Sequence, residues 1–471
     1  MNMQVIRLST VTACFTLVLA GCAGGAVQRP DLPLPATYDE VARSVPASDD
    51  TAQAAEVSPQ WWRSFNSPQL DDWIETRLDA GPDLRIAAER VLQARMALRV
   101  AGSDRFPDAG ISASSSRSRN DSRGAAPVDR ESTSAGLSIG YEVDLWGRIA
   151  ANVRGARAQY EATRYDFESL RIAAASTLAS TYFQMLATAE RLEIARRNLA
   201  IAERVLGIVE ARYRNGVATP LEVSQQRTTV FAQRTALLPL ETRQRQLQSA
   251  VALLLGEVPQ GFAASSESFA QLAVPQVAPG LPSTLLVRRP DLAAAEADLA
   301  AAAADVHVAR TSLLPSISLS GSGGLSSSEL LSLTNPATSL SAALSMGLTL
   351  FDAGRRSAQI QSARSRQRVA VETYAAAVRT ALKEVDDALG NADVGARQEA
   401  SQQETVAQAR RALQLAELRY REGADELLAV LDSQRVLFQA EDALLQLRLE
   451  RLNAALDLYR ALGGGWEGAA S

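Results

Sequence analysis

Two windows of the chain alternate strictly between apolar and polar residues. Leu137, Ile139, Tyr141, Val143 and Leu145 are separated by Ser138, Gly140, Glu142 and Asp144. Further on, Leu344, Met346, Leu348 and Leu350 are separated by Ser345, Gly347 and Thr349. A period of two over about ten residues predicts a strand with one apolar and one polar face. The pattern fits a membrane-spanning strand, lipid on one side and a lumen on the other, and equally a hairpin of a soluble β-domain. Partner strands are predicted over Asp108–Ser118 and Ser316–Gly324, which are rich in Ser and Gly. Polar loops over Asn120–Ser132 and Ser326–Thr338 separate the strands.

The remaining pattern is helical. From Arg148 to Tyr213 the chain has no proline, and only Gly155 and Gly207 interrupt it. A continuous helix of that length extends roughly 100 Å. Ala353–Tyr420 repeats the character. Leu192, Ala195, Leu199, Ala202, Leu206 and Val209 fall at alternating spacings of three and four, a heptad seam. Val378, Leu382, Val385, Leu389 and Ala392 form a second seam, and Leu445, Leu449, Leu452, Leu456 and Tyr459 a third. The seams are narrow and alanine-rich, with Arg, Glu and Gln on the other faces, which suits either a solid bundle or a hollow one. Asn215-Gly216 and Glu422-Gly423 supply the left-handed residue that ends a helix. Thr219-Pro220-Leu221-Glu222 reads as a capping box with proline at the first helical position. Asp425 is the expected cap of the second return helix.

These elements recur. Pro82-Asp83-Leu84 returns as Pro290-Asp291-Leu292, and Phe106-Pro107 aligns with Leu314-Pro315. Asp144-Leu145-Trp146-Gly147-Arg148 returns as Asp352-Ala353-Gly354-Arg355 with one deletion. Glu210–Gly216 returns as Glu417–Gly423. Four matches in one order, at offsets of 208 or 207 residues, indicate one duplicated structural unit. Two strands per repeat give four per chain. The smallest membrane barrels need about eight, and open strand edges are not tolerated in lipid. If these strands cross a membrane, several chains must share the barrel.

At the start, Arg7 precedes the apolar run Val11–Ala20, too short to span a bilayer and of signal-peptide length. Leu19-Ala20-Gly21-Cys22 then resembles a bacterial lipobox, which implies that Cys22 becomes the first mature residue and carries the lipid, with Ala23 after it pointing to the outer membrane. Composition removes other functions. One histidine and two cysteines in 471 residues leave no zinc, haem or iron–sulfur set and no usual Ser–His or Cys–His machinery. A net charge of −5 argues against nucleic acid. Only 5% aromatics argue against a large core built on Phe, Tyr and Trp. His307 reads as a packing or surface residue.

With Trp61-Trp62 and Phe65, Arg289-Pro290-Asp291-Leu292, Tyr141–Arg148, Leu350–Arg355 and Leu431-Asp432-Ser433-Gln434-Arg435, nearly the whole mature chain resembles the outer-membrane factor (TolC-like) family, most of all its lipoprotein branch serving resistance-nodulation-division pumps. The resemblance implies an α+β membrane protein. Three chains of four strands would form a twelve-stranded outer-membrane β-barrel, continued by a long periplasmic α-helical barrel with a mixed equatorial region. It implies a passive efflux channel, not an enzyme, with no cofactor beyond the lipid on Cys22. Its partners are two further copies, a periplasmic adaptor, an inner-membrane transporter and outer-membrane lipid. The implied periplasmic gate is Leu428, Asp432 and Arg435, with Ala429 where some relatives carry a second acidic residue. Asn215, Gly216, Thr219, Glu422, Gly423 and Asp425 are the expected adaptor contacts. The expected parts are a signal peptide (1–21), a lipid-anchored segment (22–60), a first repeat (61–256), an equatorial linker (257–282), a second repeat (283–462) and a tail (463–471). A duct for secreted protein or polymer shares the fold, and a structural periplasm-spanning coiled-coil lipoprotein is the rival of another class.

Overall fold

The computed structural model describes residues 58–121, 123–124, 126–262, 267–275 and 285–466, with positions 30, 35 and 37–39. The signal segment, Cys22 and residues 467–471 lie outside these. Two compact units result: Arg90–Arg164 with Ala294–Ala375, and Leu32–Glu89 with Tyr165–Ala293 and Ala376–Ser471.

A 3-10 turn at Trp61–Phe65 leads to α1, Pro68–Ala80, which Ser67 caps by accepting from the Leu70 amide at 3.1 Å. Then follow α2 (Pro82–Ser103), β1 (Asp108–Asn120), β2 (Val128–Glu142), α3 (Arg148–Arg214) and α4 (Pro220–Leu255). The second half runs α5 (Leu285–Arg288), α6 (Pro290–Thr311), β3 (Ser316–Ser327), β4 (Ala337–Gly347), α7 (Arg355–Arg421) and α8 (Leu427–Ala461). The helices α3 and α7 are 67 residues each.

The recurring motifs are helix starts. Pro82 and Pro290 occupy first helical positions, where the missing N–H costs nothing. The acid that follows each proline receives an arginine: Arg77 reaches Asp83 at 2.6 Å, and buried Arg289 grips Asp291 at 2.7 and 3.0 Å and Glu384 at 2.7 Å. Asp144 accepts the Ile149 and Ala150 amides at 3.0 and 2.8 Å, capping α3. Asp352 accepts the Gly354 and Arg356 amides at 3.1 and 3.2 Å, capping α7. The turns between need positive φ, at Gly147 (71°), Ala353 (52°) and Gly354 (85°). The second long helix therefore begins at Arg355, not at Ala353 as its composition suggests, because two left-handed residues precede it.

The strands form one antiparallel sheet in the order β1-β2-β3-β4. Its register puts Ile111 opposite Leu137, Ala109 opposite Ile139, Tyr141 opposite Leu319 and Ile317 opposite Met346, all on one face. The other face is serine and glycine, zipped by hydroxyl pairs such as Ser114–Ser134 at 3.0 Å, Ser318–Ser345 at 2.8 Å and Ser322–Ser341 at 2.8 Å. The apolar face is open in the single chain: Ile111 is 87% exposed and Leu340 90%. Strand ends differ from the alternating pattern. β2 begins at Val128, inside the predicted loop, and β4 at Ala337. Polar pairs extend β2, with Arg117 to Asp129 at 3.3 Å and to Glu131 at 3.4 Å and Ser116 to Ser132 at 3.0 Å, so no apolar signal marks that stretch. At the other ends, Val143–Leu145 and Leu348–Leu350 alternate but form no strand, because the chain is turning into the Asp144 and Asp352 caps.

The second unit corrects the aromatic expectation. Few aromatics do not mean no aromatic core: Trp61, Trp62, Phe65, Trp73, Tyr182, Phe183, Phe269 and Tyr459 are buried in one cluster. Trp61 stacks on Tyr459 at 5.6 Å and meets Trp62 edge-on at 5.6 Å. Phe269 and Leu272, from the expected linker, are part of this core.

Candidate functional site

The candidate site is the pair of turns that close the two helical hairpins, both within the second unit. In the first, the Asn215 amide and side chain both donate to the Ala211 carbonyl, at 3.2 and 2.9 Å. Gly216 takes φ 70° and its amide donates to the Tyr213 carbonyl at 3.0 Å, while the Val217 amide reaches the Arg212 carbonyl at 2.9 Å. The Thr219 hydroxyl accepts the Glu222 amide at 3.3 Å, and a Glu222 carboxylate oxygen accepts the Thr219 amide at 2.6 Å. The expected capping box is complete.

The second turn closes alike, with Gly423 at φ 77° and its amide donating to the Tyr420 carbonyl at 3.1 Å. Its cap differs from expectation. The N-cap of α8 is Glu426, which makes no side-chain cap bond. Asp425 instead receives Arg419 Nε at 3.2 Å and the Glu426 amide at 3.0 Å. A charged donor on the end of α7 holds the carboxylate more strongly than the free amides of α8 do.

Sequence reading missed a network that ties the two turns together. The Arg212 guanidinium donates to the Tyr420 and Arg421 carbonyls and lies 4.6 Å from the centroid of the Tyr420 ring. The Tyr420 hydroxyl donates to Glu222 at 3.2 Å. Burial pushes the Glu222 carboxyl up, but the bonds from Thr219 and Tyr420, with the Arg212 charge, hold it below its ordinary 4.5. Burial first, then the Glu222 charge, pushes Tyr420 up to about 12. Arg212 and Tyr420 lie in the duplicated Glu-x-Arg-Tyr-Arg stretch, so that repeat was the available signal.

Behind the second turn, an open concavity of about 810 Å³ is lined by Gly423, Ala424, Asp425, Glu426, Leu428, Ala429 and Asp432. Leu428 projects at 67% exposure. Arg435 donates to Asp432 at 2.7 Å, with both side chains more than 60% exposed. Such an exposed pair is worth little within one chain. Asn215, Gly216 and Thr219 sit at the first turn and Glu422, Gly423 and Asp425 at the second. His307, partly buried, has Nε2 at 3.4 Å from the Trp146 carbonyl oxygen, a packing position. Among the described residues no His, Cys, Asp and Glu cluster could hold a metal, and no helix is long and apolar enough to cross a membrane.

A sheet with one apolar and one hydroxyl face and, in the same chain, two long helical hairpins suit a channel protein. The model of the outer membrane efflux protein family matches residues 73–257 and 281–464. The pyoverdine export outer membrane protein OpmQ of Pseudomonas putida is 40% identical over 430 residues, 88% of this chain and 91% of its own. Its namesake from Pseudomonas aeruginosa is 38% identical, covering 99% of this chain and 98% of its own. Among solved structures, the outer-membrane channel OprN superposes with a TM-score of 0.85 at 30% identity, covering 94% of this chain and 99% of its own. The chain belongs to the outer membrane efflux protein family. It is the outer-membrane channel component of a tripartite efflux pump.

Proposed function

We propose that three copies close one twelve-stranded barrel and conduct small solutes passively from a periplasmic adaptor and a resistance-nodulation-division transporter to the outside. The carrying observation is the four-stranded sheet: its outer strands β1 and β4 each keep one unpaired edge, and its apolar face is exposed. A bilayer tolerates neither an open edge nor an aqueous apolar face, so copies must join edge to edge with the serine face inward. The helices would then continue the lumen. The matched lengths of α3 and α7, and the matched caps at Asp144 and Asp352, support descent from one duplicated unit.

In this reading the hairpin turns point to the periplasm and offer Asn215, Gly216, Thr219, Glu422, Gly423 and Asp425 to the adaptor. Leu428, Asp432 and Arg435 form the closing ring. Three symmetry-related carboxylates repel one another unless arginines intervene, so the Asp432–Arg435 contact is the element that adaptor binding would rearrange. Lipid on Cys22 anchors the N-terminus and is the only added group. The relatives' printed names concern pyoverdine export and the efflux of solvents or cations, which favours a small-solute cargo over protein or polymer. The test is the mass of the detergent-solubilised protein. A threefold multiple of the chain mass that collapses only on boiling is expected; a monomer in mild detergent would sink the shared barrel.

A further inference from the structure

Gln226 on α4, which starts at Pro220, and Gln434 on α8, which starts at Leu427, are buried glutamines near the starts of the two return helices. Both side chains are sealed from solvent, at 0% and 1% exposure. Their bonding differs. Gln226 Nε2 donates to the Ala202 carbonyl of α3 at 2.8 Å, while its Oε1 has no partner. Gln434 has no hydrogen-bond partner at either Oε1 or Nε2. Val430 and Leu437, one turn to either side of it, belong to an apolar cluster that joins α8 to Val406, Ala409 and Leu413 of α7 and to Val205, Val209 and Val223 of the first hairpin. An amide enclosed without partners is costly and disfavours the arrangement that encloses it. A neighbouring copy cannot supply the partner, because Gln434 is already covered by its own chain. Asp432 and Arg435, by contrast, are open to other copies.

We propose that Gln434 is a positioning residue for the gate. Its unpartnered amide disfavours the resting register of α8 against α7. A small shift of α8, on the scale of about 1–2 Å common at helix interfaces, lets it donate to an α7 carbonyl as Gln226 donates to Ala202. Asp432 and Arg435 share α8 with Gln434 and move with it. Hairpin one, where Gln226 keeps its bond to Ala202 and leaves one atom unpartnered instead of two, carries a smaller bias and acts as the fixed wall. The proposal rests on the gate reading given above.

Gln434→Leu keeps the bulk and removes both polar atoms, with Gln434→Met as a second variant should branching disturb packing. Expected are a higher melting temperature of the purified trimer and an open-state occupancy in planar bilayers about tenfold lower, equivalent to about 1.4 kcal/mol. Gln226→Leu removes an existing bond, so it should lower the melting temperature and leave conductance unchanged. A lower melting temperature for both Gln434 variants, or unchanged open-state occupancy, overturns the proposal. The double variant Asp432→Ala with Arg435→Ala is recorded alongside. If it raises conductance while Gln434→Leu changes nothing, the gate stands and only the role of Gln434 falls. If it raises nothing, the gate reading itself falls, and the positioning role with it.

Discussion

Glu222 takes bonds from both hairpins, through Thr219 on its own helix and Tyr420 on the other. Because those bonds hold its carboxyl below 4.5, folding favours the ionised form. That stability is complete above 4.5 and is lost as pH falls through the depressed folded value. Protection of the first-turn amides of α4 against hydrogen exchange, taken relative to their intrinsic rate at each pH, should therefore fall once pH drops below about 4.5. Glu222→Gln should abolish that dependence, and an unchanged profile would refute the linkage. Thr219→Ala should loosen the same turn by about 1 kcal/mol, the usual worth of an N-cap. At the proposed gate the expected sign is opposite to damage: Asp432→Ala with Arg435→Ala should raise single-channel conductance, and no rise would make the contact an ordinary exposed pair. The capping box was legible as Thr-x-x-Glu because both partners lie within one turn. The Tyr420–Glu222 bond was not, since its residues are 198 apart in sequence and meet only when the hairpins pack.

At the scale of elements, the sheet separates its faces by register. Leu344 and Ser341 lie on opposite faces of β4, opposite Leu319 and Ser322 of β3. Leu344→Arg should cost about 2–4 kcal/mol near mid-bilayer and cut the yield of membrane-inserted protein. Ser341→Arg, facing a lumen, should insert normally. Equal loss from both would mean that the faces are not lipid and water. Period-two alternation located one strand of each pair but misplaced its ends, because strand extension by Arg117, Asp129 and Glu131 relies on cross-strand charge pairs that no local pattern displays. The helices were easier. Length, the lack of proline and the glycines at 216 and 423 bound α3 and α7 to within one or two residues.

For the whole molecule, the proposed lipid on Cys22 and the proposed barrel are tested separately. Cys22→Ser should remove the acyl mass from the mature protein and yet leave heat-sensitive trimers in the outer membrane, since barrel insertion holds a protein far more firmly than acyl chains do. Loss of the trimer in Cys22→Ser would show that anchoring precedes assembly. The second unit has its own reason to stay folded in Cys22→Ser: its aromatic cluster around Trp61, Phe65 and Tyr459 is buried within one chain.

Sequence alone determined the element types, the motifs that recur at offsets of 208 or 207, a strand count too small for one chain to close a membrane barrel, and the poverty of catalytic side chains. These follow from short-range periodicity, counting and the minimum size of a closed barrel. Tertiary structure decided what depends on distant residues meeting: the concentration of scarce aromatics into one core, the pairing of Arg289 with Glu384, the link from Arg212 and Tyr420 to Glu222, and the difference between a Gln226 that donates to Ala202 and a Gln434 with no partner. Two glutamines near the starts of the two return helices look alike in sequence. Only the packing of each hairpin fixes whether a carbonyl stands within reach.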